Sequence, residues 1–492
     1  MSDNNSYKQS LKATSLFGGV QVYTILIKIV SSKVAAVLLG PVGMGVYGLF
    51  SQAQNLIKKG TSFGLSSSAV RNISDANGTG DSVRVQTVTS VFRKLVWFTG
   101  LLGLLVCLLG APILSKTTFG NSDYVWGFAL LSLSLLFDPL AAGQTAILQG
   151  LRKYAYMAKA TVIGSTFGLV ITVPLYYIWK VNAIVPVMVL SSLTALVFSW
   201  VYYKKLNLKS IRTDRPTLVG VGKGMAVMGL AISISGIAET LAAYYLRVYI
   251  GNRGGLDEVG LFTAGFAMVN TYVGLVLTSM GTDYYPRLSE VNRDSNKFNS
   301  TICDQMEIVL LLLAPIISVF IIFIEIIIII LYSGEFVAAE SFMFWAVYAC
   351  FFKAISWCIS YGFLAKGDHK AFIINELTCQ AYSLPLQIFG YTVGGLRGLG
   401  IAYFASIVLY TLQVYFVTRK RYDVRIAGSS VKIFLIQLPV ISACLIISLF
   451  SSGWSRYVVG LVFVVLSTYI SCKEIQKRVD VVQFVRNKLK RK

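Results

Sequence analysis

The stretch Ser31-Ser-Lys-Val-Ala-Ala-Val-Leu-Leu-Gly-Pro41-Val-Gly-Met-Gly-Val-Tyr-Gly-Leu-Phe50 closes one apolar run and opens another around a Gly-Pro turn. A hydrocarbon core needs about 20 mostly apolar residues per helical crossing. Outward from this turn the same pattern recurs along the chain. The predicted spans are 13–37, 42–66, 91–114, 122–148, 155–178, 181–203, 224–249, 257–283, 304–331, 336–364, 370–391, 397–418, 432–451 and 455–472. The reading is an all-α membrane protein with about 14 transmembrane helices. Two spans carry weaker signals, the second because Lys58 and Lys59 interrupt it and the eighth because it is rich in Gly and Thr.

Composition agrees. Of 492 residues, 55% are hydrophobic and 13% charged, about half the roughly 25% charge of soluble domains. The net charge of +22 is explained by its placement rather than by nucleic-acid binding. With the N-terminus cytoplasmic, inside segments hold 33 Lys and Arg and outside loops hold six: Lys33, Lys116, Lys180, Arg253, Arg397 and Arg456. A bias that alternates at every loop fixes both termini in the cytoplasm. No small-residue cleavage site follows the first apolar run, so the first helix is expected to stay as a span rather than leave as a signal peptide. The tail from Lys473 to Lys492 spaces Ile475, Val479, Val482 and Leu489 among basic residues, which suits a helix on an anionic inner leaflet.

The chain carries traces of a parallel repeat. Tyr47-Gly-Leu-Phe50-Ser51 matches Val259-Gly-Leu-Phe262-Thr263, and Gly150-Leu-Arg-Lys153 matches Gly367-Asp-His-Lys370, at offsets of 212 and 217. Each pair lies six spans apart in the same orientation. The expected organisation is two pseudo-symmetric six-helix lobes plus a C-terminal helix pair. The N-terminal lobe covers 1–204, a basic cytoplasmic linker 205–223, the C-terminal lobe 224–420, and the added pair with its basic tail 421–492.

Charges inside spans are costly and mark cavities or partner helices. The basic ones are Lys28, Lys58, Lys59, Arg247 and Lys353, and the acidic ones are Asp138, Glu239, Glu325 and Glu376. Helical spacing places Gln21, Thr24 and Lys28 on one face, and Ser51, Gln54, Lys58 and Ser62 on another. Ser233, Thr240 and Arg247 recur every seven residues, Lys353 shares a face with Ser356 and Ser360, and Glu376 with Gln380, Ser383 and Gln387. Asp138, Thr145 and Gln149 line the fourth span beside an expected kink at Pro139. So many polar faces imply a water-filled cavity with basic walls, suited to an anionic substrate. The competing reading is that Lys58 and Lys28 snorkel and that Arg247 pairs with Glu239 or a loop acid. Asp138, Glu376 and Glu239 are the candidates for coupling to Na⁺ or H⁺, and Glu325 lies near the outer end of its span.

Enzyme signals are missing. The stretch 217–224 departs from a phosphate loop, with Thr217 where Gly is required and Gly224 in place of Ser or Thr. The single His369 sits in a polar turn and rules out a zinc-protease motif, and the seven cysteines lack CxxC spacing, so no metal and no disulfides are expected. Asn-x-Ser/Thr matches at Asn72, Asn77 and Asn299 fall in cytoplasmic segments.

The opening stretch 31–50, followed by Gly64-Leu-Ser-Ser-Ser-Ala-Val-Arg71, resembles the polysaccharide transport family. These are O-antigen and related flippases within the multidrug/oligosaccharidyl-lipid/polysaccharide exporter superfamily. The resemblance extends over length, span count, paired lobes and basic ends. It implies two six-helix bundles that alternate access to a polyprenyl-pyrophosphate-linked glycan, usually on undecaprenol, in the bacterial inner membrane. It also implies that Lys28, Lys58, Lys59 and Arg247 occupy helices whose basic residues contact the pyrophosphate, with Lys353 a further cation. Membrane lipids, a polysaccharide polymerase and a chain-length regulator are the expected partners; no cofactor beyond a coupling ion is expected. Two rivals stand beside this reading. A multidrug antiporter of the same superfamily would favour acidic and aromatic cavity walls. A membrane-embedded polymerase or glycosyltransferase would carry a sizeable outer loop or a clustered acid–base site, whereas the outer loops here are short.

Overall fold

The computed structural model describes residues 2–208, 211, 215–451 and 453–478. The predicted amphipathic tail beyond 478, the side chain of Gln21 and much of the basic linker lie outside the described residues. Everything regular among the described residues is helical. By contact density the chain divides into two compact units, Met1–Gly260 with Leu331–Ser333, and Leu261–Ile330 with Gly334–Lys492.

The first unit is built from α1 (Ser2–Ser62), α2 (Leu65–Gly78), α3 (Ser82–Phe119), α4 (Val125–Gly150), α5 (Tyr154–Trp179), α6 (Ile184–Lys204) and most of α7 (Arg215–Met268). At about 1.5 Å per residue, α1 and α7 are far longer than a hydrocarbon core of about 30 Å. Each is broken at a glycine. Gly40 adopts φ 64°, ψ −173°, and Gly255 φ 87°, ψ 175°, conformations that a side chain would strain. Pro41 then starts the second arm of α1, a position where its missing N–H costs nothing. The reversal at Gly255 is tight: a Cβ on Gly251 would lie 3.3 Å from Val259 Cγ2, although a continuous helix would separate these residues by about two turns.

Phe50, Phe119, Tyr124 and Phe128 form an aromatic cluster at the turn between α3 and α4, with centroid distances from 3.9 to 6.2 Å. The arms of α1 and α7 approach with no room for side chains. A Cβ on Gly45 would sit 1.8 Å from Leu256 O, and one on Gly260 would sit 1.8 Å from Pro41 O. Small residues at such crossings replace the hydrophobic drive that is lacking between helices in lipid. α2 was not anticipated by the span reading. Its buried Leu65, Ser68, Ala69, Ile73 and Ala76 follow helical spacing, but it is too short and polar to register as a span.

The second unit contains α8 (Gly274–Glu290), α9 (Ser295–Ile322), α10 (Ile324–Leu331, its last residue grouped with the first unit), α11 (Glu340–Ala365), α12 (His369–Tyr422), α13 (Gly428–Phe450) and α14 (Trp454–Arg478). The Gly- and Thr-rich eighth span contains a π-helical turn over Val269–Val273, and the ninth divides at Phe323 into α9 and α10. α12 reverses at Gly394 and Gly395, where a Cβ on Gly390 would lie 2.5 Å from Gly398 O. α9 and α11 are the buried helices, packed with Phe342, Phe351 and Phe363. α13 and α14 are joined by polar contacts: Gln437 Nε2 donates to Ser471 Oγ at 2.9 Å, and Ser467 Oγ donates to Gln437 Oε1 at 2.9 Å.

Ten described helices are long and apolar enough to cross a membrane. Leu109, Ile113, Trp126, Ile178, Val393, Phe416, Phe450 and Trp454 are exposed. Apolar side chains exposed on this scale have no place on a water-soluble surface. The chain is a multi-pass membrane protein.

Candidate functional site: a polar cavity in the first unit

The second arm of α1 carries Ser51, Gln54 and Lys58 on one face, as their spacing predicts. α4 runs unbroken through Pro139 and presents Ser134 and Asp138, one turn apart, to that face. Gln54 Nε2 donates to Ser134 Oγ at 2.9 Å and to Asp138 Oδ2 at 3.3 Å. Lys58 Nζ donates to the same Oδ2 at 3.0 Å. Two residues singled out separately, one as an anion-binding cation and one as an ion-coupling acid, are therefore partners.

Beside this pair lies a cavity of about 610 Å³ between α1, α4, α5 and α6. Its hydroxyl-bearing wall includes Thr161, Ser165 and Thr172 of α5 and Ser191, Ser192 and Ser199 of α6. Thr161, Ser165 and Thr172 donate to carbonyls of their own helix, at 3.0, 3.0 and 2.7 Å, which leaves their oxygens free to accept. Tyr47, Tyr176 and Met188 contribute apolar surface. Among the described lining residues Asp138 alone is charged.

The other predicted cations fall elsewhere. Lys59 Nζ donates to Gly236 O at 3.0 Å and ties α1 to α7. Arg247 is buried on α7, where its Nη1 donates to Ala243 O at 3.0 Å. Lys28 is exposed on the first arm of α1, next to Ile27, which lines the cavity. Glu239 is exposed on α7. In the second unit Lys353 is half-buried on α11, and Ser356 Oγ donates to its carbonyl at 3.0 Å. Glu376, half-buried on α12, accepts a hydrogen bond from Tyr410 OH. One turn of helix away, Gln413 Nε2 donates to Asn375 Oδ1 at 2.8 Å.

Three features were missed from sequence. Tyr410 lies 34 residues from Glu376, with nothing in its local pattern to mark it. Ser134 faces Gln54 across 80 residues of chain. The hydroxyl wall of α5 and α6 had a legible signal in Gly164, Ser165, Gly168 and Thr172 at three- and four-residue spacing, but its residues are uncharged and read as ordinary span residues.

Outside the membrane, the turn before α12 is held by Asp368. It caps the helix by accepting from Ala371 N at 3.0 Å, and also accepts from Tyr422 OH at 2.8 Å and Arg421 Nε at 2.6 Å. The backbone N–H of Ala371, then Tyr422 and Arg421, hold its carboxyl below the usual aspartate range.

Paired helical units, glycine-mediated crossings and a polar cavity inside an apolar shell define a membrane transporter, and its fold is that of the MOP superfamily. A multidrug resistance MATE family transporter of that superfamily in an inward-facing conformation superposes with TM-score 0.69 at 16% identity, over 81% of this chain and 94% of that one. The lipid II flippase MurJ, in an inward closed conformation, gives TM-score 0.66 at 14% identity, over 96% and 100%. More particularly, the chain belongs to the family described as "Polysaccharide biosynthesis protein", whose model matches residues 10–340. It is 20% identical over 382 residues to the lipid III flippase of Escherichia coli (strain K12), covering 77% of this chain and 90% of that protein. The lipid III flippase of Shigella flexneri matches to the same extent. These relatives are flippases and transporters, not enzymes.

Proposed function

We propose that this protein flips a polyprenyl-pyrophosphate-linked oligosaccharide from the cytoplasmic to the periplasmic leaflet of the bacterial inner membrane, by alternating access. The observation that carries this reading is the polar cavity with its Lys58–Asp138 pair, enclosed by helices whose outer faces are apolar. A glycan headgroup and a pyrophosphate cannot enter hydrocarbon unaided, so a wet polar route must carry them while the lipid tail stays in the bilayer. Membership of a polysaccharide biosynthesis family and similarity to lipid III flippases support a lipid-linked glycan as cargo.

Lys28, Lys58, Lys59 and Arg247 in the first unit, and Lys353 in the second, are the cations assigned to the pyrophosphate. Asp138, Glu376 and Glu239 are the acids assigned to a coupling Na⁺ or H⁺, because acids within spans are rare and mark such sites. Four of the ten crossing helices run 40, 51, 58 and 54 residues. Reading each of those as two crossings keeps the proposal of about fourteen spans. The alternating loop charge supports cytoplasmic termini, and the domain limits at 204, 223 and 420 are retained as the functional division.

The test is to measure surface polysaccharide and lipid-linked repeat units in cells with and without the gene. Loss of surface polymer with complete repeat units held on the cytoplasmic leaflet is the expected result. Normal polymer with altered tolerance to cationic dyes would overturn it in favour of drug export. Repeat units already on the periplasmic leaflet would point to a polymerase instead.

A further inference from the structure

The cavity of the first unit differs in character from a pyrophosphate site. Asp138 is its one charged lining residue among those described, and Lys58 neutralises it at 3.0 Å. A pocket whose one charge is already paired offers little to a multiply charged anion, which gains too little there to offset its desolvation. What it offers is hydrogen bonding. Asp138 Oδ1 and Gln54 Oε1 have no protein partner among the described residues, since both groups use their other polar atom in the Ser134–Gln54–Asp138–Lys58 chain. Ser192 is more than nine-tenths buried, lines the cavity, and its hydroxyl likewise has no partner among the described residues.

We propose that this cavity is a saccharide subsite, which holds one or more neutral sugar residues of the lipid-linked glycan while the pyrophosphate stays outside it. The inference rests on the flippase reading and specifies where that cargo's headgroup is held. A sugar ring carries neighbouring hydroxyls that donate and accept, which matches an acceptor pair from Asp138 and Gln54 facing serine and threonine oxygens. Its C–H faces match the apolar surfaces of Tyr47 and Tyr176. The volume of about 610 Å³ lies within the roughly 300–1,000 Å³ of small-molecule pockets. Lys58 and Gln54 both occupy Asp138 Oδ2, which leaves Oδ1 as an acceptor, and Lys58 is not itself among the lining residues.

Gly168 is the place from which to reduce the pocket. Gly168 lines the cavity, and a Cβ there would meet Thr194 Oγ1 at 3.7 Å and Ser191 Oγ at 3.8 Å, ordinary contact distances, so a side chain can start there without a clash. Full-length protein in lipid nanodiscs is titrated with two probes. One is bare undecaprenyl pyrophosphate, and the other is the native lipid-linked oligosaccharide extracted from cells lacking the gene. The wild type is expected to bind the glycan-bearing lipid about tenfold more tightly than the bare one, the effect of one or two well-placed hydrogen bonds. Gly168→Leu is expected to abolish that ratio while binding bare lipid normally. Ser192→Ala, which removes the hydroxyl and adds no bulk, is expected to reduce the ratio about threefold and serves if Gly168→Leu does not fold. Equal binding of the two lipids by wild type, or a ratio that survives both substitutions, overturns the saccharide subsite and leaves the flippase reading standing. Wild-type protein that binds neither lipid overturns both.

Discussion

Lys58 Nζ and Asp138 Oδ2 lie 3.0 Å apart, joining the second arm of α1 to the middle of α4. Both are partly buried, at 36% and 20% side-chain exposure, so the pair gains more than a surface ion pair and leaves an uncompensated charge when one partner is removed. Lys58→Ala is expected to lower polysaccharide export at least tenfold and to lower thermal stability in detergent. Exchanging the two residues, Lys58→Asp with Asp138→Lys, is expected to restore stability but not export, because the cation then lies in the wrong place for a pyrophosphate. Full export from the exchanged protein would show that Lys58 serves only Asp138.

Gly45 and Gly260 are expected to tolerate no side chain. A methyl group on either would lie 1.8 Å from a carbonyl oxygen of the facing backbone, which can yield only by moving a helix. Gly45→Ala and Gly260→Ala should each destabilise the protein by about 1–3 kcal/mol. Thermal melting of the purified variants checks this, with Gly220→Ala, where nothing lies within 4 Å, as the neutral control.

Arg456, in the first turn of α14, is buried at 6% side-chain exposure. It reaches Glu340 Oε2 at 3.7 Å, Glu325 Oε2 at 4.0 Å and Ile321 O at 3.2 Å, with its guanidinium 5.1 Å from the centre of the Phe344 ring. It thus fastens α14 to α9, α10 and α11. Arg456→Leu should cost about 2 kcal/mol, most of it from the acids and carbonyl left unpaired. A melting temperature equal to wild type would show that solvent replaces the arginine.

Asp368 supplies a pH dependence of known sign. Its carboxyl is held below its ordinary value, so its contribution to stability is complete above the unfolded aspartate value of about 3.9 and is lost as pH falls through the lower folded value. Asp368→Asn should therefore lower the melting temperature at pH 7 and leave it near wild type at about pH 2. Melting curves recorded across that range check the crossover.

Glu376 and Asp138 each sit in a hydrogen-bonded polar group, whereas Glu239 is exposed. An acid that binds a coupling ion needs such neighbours to replace water. Glu376→Gln or Asp138→Asn is expected to remove the dependence of transport on a Na⁺ or proton gradient, and Glu239→Gln to retain it. Reconstituted transport under imposed gradients measures this.

The fold was largely legible in the sequence because lipid imposes a simple rule: every span must be apolar for about 20 residues, and loop charge records its direction. Lys58 and Lys59 made the second span look doubtful, yet the helix continues to Ser62 because Asp138 and the Gly236 carbonyl accept both ammonium groups. Such partners lie 80 and 177 residues away, beyond what periodicity along one helix can show. The same limit applied to the site. Stripes on α1 and α4 were visible one at a time, but their meeting was not. The serines and threonines of α5 and α6 passed as span residues because several bond back to their own helix and so cost little in an apolar run.

The reversals at Gly255 and at Gly394–Gly395 have a mechanical meaning. Gly390 and Gly398 face each other across the second with no space for even one carbon between them, so the two arms of α12 cannot slide or splay without breaking backbone contact at the bend. At the first, Gly251 and Val259 only come close beside the bend, through a side chain and not through backbone. The α12 hairpin is therefore fixed at its bend, and movement between its arms is left to the ends far from it. A tilt of one arm of α12 near the bend therefore carries the bend, and with it the start of the return arm, along.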